Sequence, residues 1–155
     1  LMEQYGELDA TAANITSMMD NEPAMAAMDG LFKGRCAACH QANGSGSTGP
    51  NLTDDHFINV DEITDIADIL RDGVVERGMP AWGDQLTQTQ IVLLSAYVAN
   101  MRGQDLPGKA PQGREIAPWP DPPAEGEAGG EGGSDPAEGD DDQVAMDDNS
   151  AGGAH

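Results

Sequence analysis

Three segments of the chain repeat apolar residues at the helical interval, and glycine-rich stretches separate them. From Pro23 onward, Met25, Met28, Leu31, Phe32, Cys36 and Cys39 recur mostly every three or four positions, which puts them on one face of an α-helix. This predicts a helix over about 23–39. Asp20-Asn21-Glu22-Pro23 reads as its start, because proline fits a first turn and acids suit the positive end of the helix dipole. Gly30 and Gly34 weaken its propensity, so packing must hold it. A second helix is expected over about 60–72. Ile63, Ile66, Ala67 and Leu70 form its stripe, Asn59 and Glu62 have capping-box spacing, and Gly73 stops it. Asp61, Glu62, Asp65, Asp68 and Asp72 make its solvated face. A third is expected over about 88–102, from the Thr87-x-x-Gln90 box to Gly103, with Ile91, Leu94, Val98 and Met101 directed at the first helix near Phe32. No strong strand pattern is present.

Around these helices the pattern is weaker. Residues 1–22 are polar with scattered apolar positions and read as a lead-in, with a short helix at most. The chain begins at Leu1, so a signal or membrane anchor removed ahead of it is expected. No stretch within it has the apolar length that crosses a bilayer. A domain over 23–103 is followed by a Pro-rich strap over 104–120, in which Ile116 and Trp119 are expected to touch the domain. From 121 to 155 the chain is Gly, Ala, Pro, Asp and Glu. It cannot bury enough apolar area to offset its chain entropy, which predicts a disordered acidic tail. Within it, Asp140-Asp141-Asp142 reads as a solvated charge run.

Charge narrows the partners. The chain has 155 residues and net charge −21. Residues 1–115 hold 17 acids and 7 bases, and residues 116–155 hold 11 acids with no Lys or Arg. This excludes nucleic acid and anionic membrane surfaces as partners. It favours partner proteins with a basic docking surface, or a salty habitat in which acidic proteins stay soluble.

The chemistry centres on Cys36-Ala37-Ala38-Cys39-His40. C-x-x-C-H is the attachment signature of a c-type haem. Two thiols one helical turn apart add to the porphyrin vinyl groups, and the adjoining histidine lies under the iron as an axial ligand. Structural zinc is a weaker reading, because only His56 and His155 remain to complete four ligands. A thioredoxin-like pair would need a βαβ context, and a Cys36–Cys39 disulfide is the remaining alternative in an oxidising compartment.

Two loops supply what such a histidine needs. Gln41–Thr53 ends in Gly49-Pro50-Asn51-Leu52. The Pro50 carbonyl is the expected acceptor for the second ring nitrogen of His40, a bond that fixes ring orientation and basicity. Gly78-Met79-Pro80-Ala81-Trp82-Gly83 is a stiff loop, and Met79 is the one methionine of eight in such a loop. Its thioether is a soft neutral ligand that favours reduced iron, and it follows His40 by 39 residues. Trp82 is expected to pack on the porphyrin edge with its indole N–H toward a propionate.

CAACH, GPNL and GMPAW, in this order between a first and a last helix, resemble a class I cytochrome c over roughly residues 24–103. The resemblance implies an all-α fold of three to five helices around one covalent haem c. Cys36 and Cys39 would hold the haem, and His40 and Met79 would be axial ligands. Pro50-Asn51-Leu52-Thr53-Asp54-Asp55, Met79-Pro80-Ala81-Trp82 and Leu94-Ser95-Ala96-Tyr97-Val98 are similar to the dihaem subunit III of cbb3-type cytochrome c oxidases. That subunit carries two CxxCH motifs and a transmembrane helix; this chain carries one motif and no such helix. Met28 stands where the family often has Gly, and His56 where it often has an aromatic. The implied role is one-electron transfer in a respiratory chain, as a non-catalytic part of a terminal oxidase that contacts its other subunits. The implied location is the periplasm or the outer face of the cytoplasmic membrane, with membrane association only through a segment outside this chain. A free-standing mono-haem carrier is the alternative, and a haem ligand sensor or peroxidase-like enzyme a more distant one.

Overall fold

The computed structural model describes residues 5–124. The tail from 125 onward, with Asp140–Asp142, and Met2, Met146 and His155 lie outside the described residues. In chain order the elements are α1 (Ala12–Met18), α2 (Glu22–Arg35), α3 (Ala37–His40), β1 (His56–Phe57), α4 (Ile63–Asp72), a 3-10 turn (Val75–Arg77), α5 (Gln88–Met101) and β2 (Arg114–Glu115).

α5 is the centre of the packing and touches α1, α2 and α4. Ten of its fourteen residues are buried, because neighbours cover it on several sides. Its one buried hydroxyl in mid-helix is satisfied locally, Ser95 Oγ donating to the Ile91 carbonyl at 2.7 Å. α4 instead buries a single stripe, Ile63, Ile66, Ala67 and Leu70. Where α2 crosses α5, Phe32 and Tyr97 stack with ring centroids 5.4 Å apart. Phe32 is fully buried, which contributes about 2–3 kcal/mol. Met28, one turn earlier, is also buried there.

The termini of these helices follow local chemistry, with two departures. Asn21 caps α2 by accepting from Ala24 N at 3.0 Å. At α5, Thr87 and Gln90 cap each other reciprocally. The helix expected over 23–39 is broken: α2 ends at Arg35, the backbone turns at Cys36 (φ −114°), and α3 begins at Ala37. The helix expected from 60 starts at Ile63, and its capping box is Glu62 with Asp65 rather than Asn59 with Glu62. Asp65 is acidic and faces the amides of Asp61 and Glu62, from which Oδ2 accepts at 2.9 and 3.0 Å.

Both flanks of the domain join the fold. In the lead-in, α1 buries Ile15 completely, and the Thr89 hydroxyl donates to Gly6 O at 2.9 Å. In the strap, β2 pairs antiparallel with β1, His56 opposite Glu115 and Phe57 opposite Arg114. None of the helices among the described residues is long and apolar enough to cross a membrane.

Candidate functional site

One cavity gathers the residues singled out above. Cys36, Cys39, His40, Pro50, Met79 and Trp82 all line it. Its remaining wall is largely apolar, including Phe32, Leu52, Phe57, Val60, Ile66 and Leu70. α2 and α3 deliver the thiols and the imidazole, the 41–57 loop forms one side, and α4 with the following loop forms another.

His40 sits at the C-terminus of α3, where the chain turns sharply through Gln41. Its Nδ1 lies 2.9 Å from the Pro50 carbonyl oxygen. With Nδ1–H donating there, Nε2 keeps its lone pair for a metal. Burial lowers the His40 pKa from the usual histidine value and the nearby Lys109 cation adds to this, against the opposing effect of the Pro50 bond. A neutral imidazole is the form that ligates. Burial likewise pushes the Cys36 thiol up to about 11, so near neutral pH it is an uncharged thiol in an apolar wall. Cys36 and Cys39 are both free thiols, not a disulfide. Among the described residues no three His, Cys, Asp or Glu side chains gather as ligands of a metal ion would.

The Met79 loop is built from α4 outward. Gly73 ends the helix with φ +72°, and a Cβ there would lie 2.7 Å from Met79 O, Pro80 C and Ala81 N. Only glycine lets this stretch pass so close. Val74 and Met79 bond each other's backbone at 3.0 and 3.1 Å across the 3-10 turn. Trp82 N then donates to Leu70 O at 2.9 Å. Arg35 lies over the Trp82 ring, 5.5 Å from its centroid.

Charge is distributed unevenly around this cavity. Of the seven Lys and Arg residues in the chain, four are ion-paired elsewhere: Lys33 with Asp29, Arg71 with Asp68 and Asp72, Arg102 with Asp55, and Arg114 with Asp61. The other three, Arg35, Arg77 and Lys109, line the cavity and have no carboxylate partner among the described residues. His56, on β1, lines it too.

The family described as cytochrome c oxidase, cbb3-type, subunit III matches residues 23–98. Residues 23–98 are a cytochrome c domain of that family. A cbb3-type cytochrome c oxidase subunit FixP from Sinorhizobium medicae is 30% identical over 128 residues, covering 73% of this chain and 44% of the relative. A subunit of the same name from Azorhizobium caulinodans is 36% identical over 78 residues, covering 47% of this chain and 26% of the relative. The chain thus spans less than half the length of these relatives. Among solved structures, cytochrome CL from the marine methylotroph Methylophaga aminisulfidivorans is similar with a TM-score of 0.48 at 20% identity, over 61% of this chain and 73% of that one, too loose a likeness to bear on function.

The cytochrome c domain has the all-α class I fold, and its family implies covalent haem c. The residues present fit that group: an apolar cavity with two thiols, a neutral imidazole with Nε2 free and a thioether on its wall, and unpaired cations for two propionates. Sequence reasoning missed the cavity residues contributed by the strap, Lys109 and Gln112. No local signal marks them, because they arrive through contacts more than fifty residues apart in the chain.

Proposed function

We propose that the chain transfers single electrons through one haem c, held by Cys36 and Cys39 and ligated by His40 and Met79, as part of a cbb3-type terminal oxidase. The observation that carries this reading is His40 Nδ1 tied to the Pro50 carbonyl at 2.9 Å in the cavity that Met79 also lines. When bound, the haem supplies reversible ferric–ferrous exchange. The protein's residues keep that exchange free of side chemistry. Pro50 orients the imidazole and strengthens its donation. Met79, on the cavity wall, would hold the group through its thioether, which leaves no need for a substrate to enter. The apolar wall excludes water and limits reorganisation. Trp82 borders the cavity, where its indole N–H is available to a propionate.

A subunit of this kind works outside the cytoplasmic membrane, where its partners are the other oxidase subunits and a soluble or membrane-bound donor. Net charge draws a basic partner from a distance, while Arg35 and Arg77 at the cavity give its mouth the opposite sign. A free-standing carrier shares the same site chemistry and differs in not being held to an oxidase.

The test is spectroscopic. The ferric protein should show the weak red absorption of sulfur-ligated haem, and the ferrous protein should resist carbon monoxide. Absence of that band together with ready carbon monoxide binding would sink the relay reading in favour of a ligand sensor. Met79→Ala should give a five-coordinate or weakly ligated haem. An unchanged spectrum would point instead to His56, which lines the same cavity.

A further inference from the structure

The strap following α5 lies beyond residues 23–98, the stretch the family accounts for. It is nevertheless fixed to the site loop along its length. Thr53 O accepts from Gly103 N and Asp105 N at 2.8 and 2.9 Å, and the Thr53 hydroxyl accepts from Leu106 N at 2.9 Å. The Asn51 amide donates to Leu106 O and Lys109 O, both at 3.1 Å. Lys109 N donates to Ser45 O at 2.9 Å. At the far end, Arg102 is a clamp. Its guanidinium donates to Asp55 at 2.9 Å, Ala117 O at 2.8 Å and Ile116 O at 2.6 Å. It also stacks on Trp119, 4.6 Å from the ring centroid, and Trp119 Nε1–H donates to Ala99 O at 3.1 Å. The Arg102 side chain is only 8% exposed.

This anchoring sets two strap side chains on the cavity wall. Among the described residues Lys109 has no carboxylate partner; it donates to Thr48 O at 3.0 Å, which leaves further N–H donors free. Gln112 makes no hydrogen bond among the described residues, and its Oε1 is buried without a partner. One amide end buried without a partner costs about 1–3 kcal/mol, so its place against an apolar cavity calls for a ligand group. The two ends of an amide are assigned from their surroundings, and a carboxylate beside it would be met by the N–H end. A cation and an amide donor together are a carboxylate site.

We propose that the strap is part of the haem site: Lys109 and Gln112 bind the haem propionates, and Arg102 positions them by clamping the strap. This rests on the haem reading above and extends it to a segment outside the recognised domain. The cation offsets propionate charge, so it keeps the propionates ionised and favours the ferrous state.

The experiment uses the haem-loaded full chain, with attachment verified by mass. In the ferrous protein, nuclear Overhauser contacts should join the Gln112 side-chain amide protons to a propionate methylene. In Lys109→Met and Gln112→Leu, the propionate ionisation seen in the pH dependence of the midpoint potential should move to higher pH, and the midpoint itself should fall. Lys33→Met, whose ammonium pairs with Asp29, should leave the ionisation in place. Arg102→Lys should shift it in the same direction with Lys109 and Gln112 intact. If haem attaches and the ionisation does not move in Lys109→Met and Gln112→Leu, or moves equally in Lys33→Met, the strap proposal is overturned and the haem reading stands. An effect confined to the second-order rate with a partner protein also overturns it and assigns Lys109 to docking. If no haem attaches, the haem reading itself falls, and this proposal with it.

Discussion

A single added methyl group at Gly49 should unsettle the histidine of the site. A Cβ there would lie 2.7 Å from His40 Cε1 and 3.0 Å from both ring nitrogens. Ordinary contact begins near 3.4 Å, so the ring must retreat by about 0.7 Å. Taken along the line to Pro50, that retreat stretches the 2.9 Å bond to about 3.6 Å, beyond hydrogen-bonding range. The Pro50 carbonyl then loses its buried donor, at a cost of about 1–3 kcal/mol. For an ordered region of this size, that lowers Tm by roughly 4–12 °C. His40 also becomes a weaker donor, so the midpoint potential of haem-loaded Gly49→Ala should rise. Gly30→Ala is the internal control. It is the same chemical change in mid-helix with nothing within 4 Å, and it should stabilise by about 0.5–1 kcal/mol. Thermal unfolding followed by circular dichroism, with spectroelectrochemistry on the same samples, measures both effects. If Gly49→Ala melts within about 1 °C of the parent with an unmoved potential, the steric argument for His40 is wrong.

Other perturbations read other parts of the fold. Asn51→Ala removes an oxygen that accepts from Thr53 N and Oγ1 at 2.8 and 2.6 Å and an amide that holds the strap; urea unfolding should show a loss of about 2–4 kcal/mol. Phe32→Ala, at a fully buried position in the helix crossing, should cost about 3–5 kcal/mol and is checked by the same titration. Burial, with the hydrogen bond to Asp29, holds Tyr97 well above the usual tyrosine range. A raised folded-state pKa leaves stability intact below the unfolded value near 10 and erodes it as pH climbs past that point. Tyr97→Phe should therefore show a shallower loss of Tm between about pH 10 and 12, and an unchanged slope would refute the assignment.

What was legible in the chain was what is local in space. The Thr87–Gln90 box, the α4 stripe and Gly73 act within one or two helical turns, so spacing alone exposed them. The break at Cys36 was hidden because the apolar period runs straight through it to Cys39. Asp65 displaced Asn59 as the partner of Glu62 because a cap depends on where the backbone turns, which the spacing of acceptors does not decide. CAACH, GPNL and GMPAW line one cavity, and each carries its own signature of residue types. Ile116 and Trp119 of the strap were expected to touch the domain and do pack on its core, but Ile15, Lys109 and Gln112 were not legible, since they gain their meaning only from partners far along the chain.

The ties between strap and site loop also set an order in time. Asn51 and Thr53 are closed by residues 53 to 58 positions later, and Arg102 reaches back 47 positions to Asp55. Contacts this distant carry a loop-closure cost that must be met before they stabilise anything, so they form late. During synthesis, the site loop around Asn51 and Thr53 therefore stays open on this side until Trp119 has emerged. On the proposed haem reading, the group would enter before the strap shuts. Pulsed hydrogen exchange during refolding should find the Leu106 and Lys109 amides among the last to be protected.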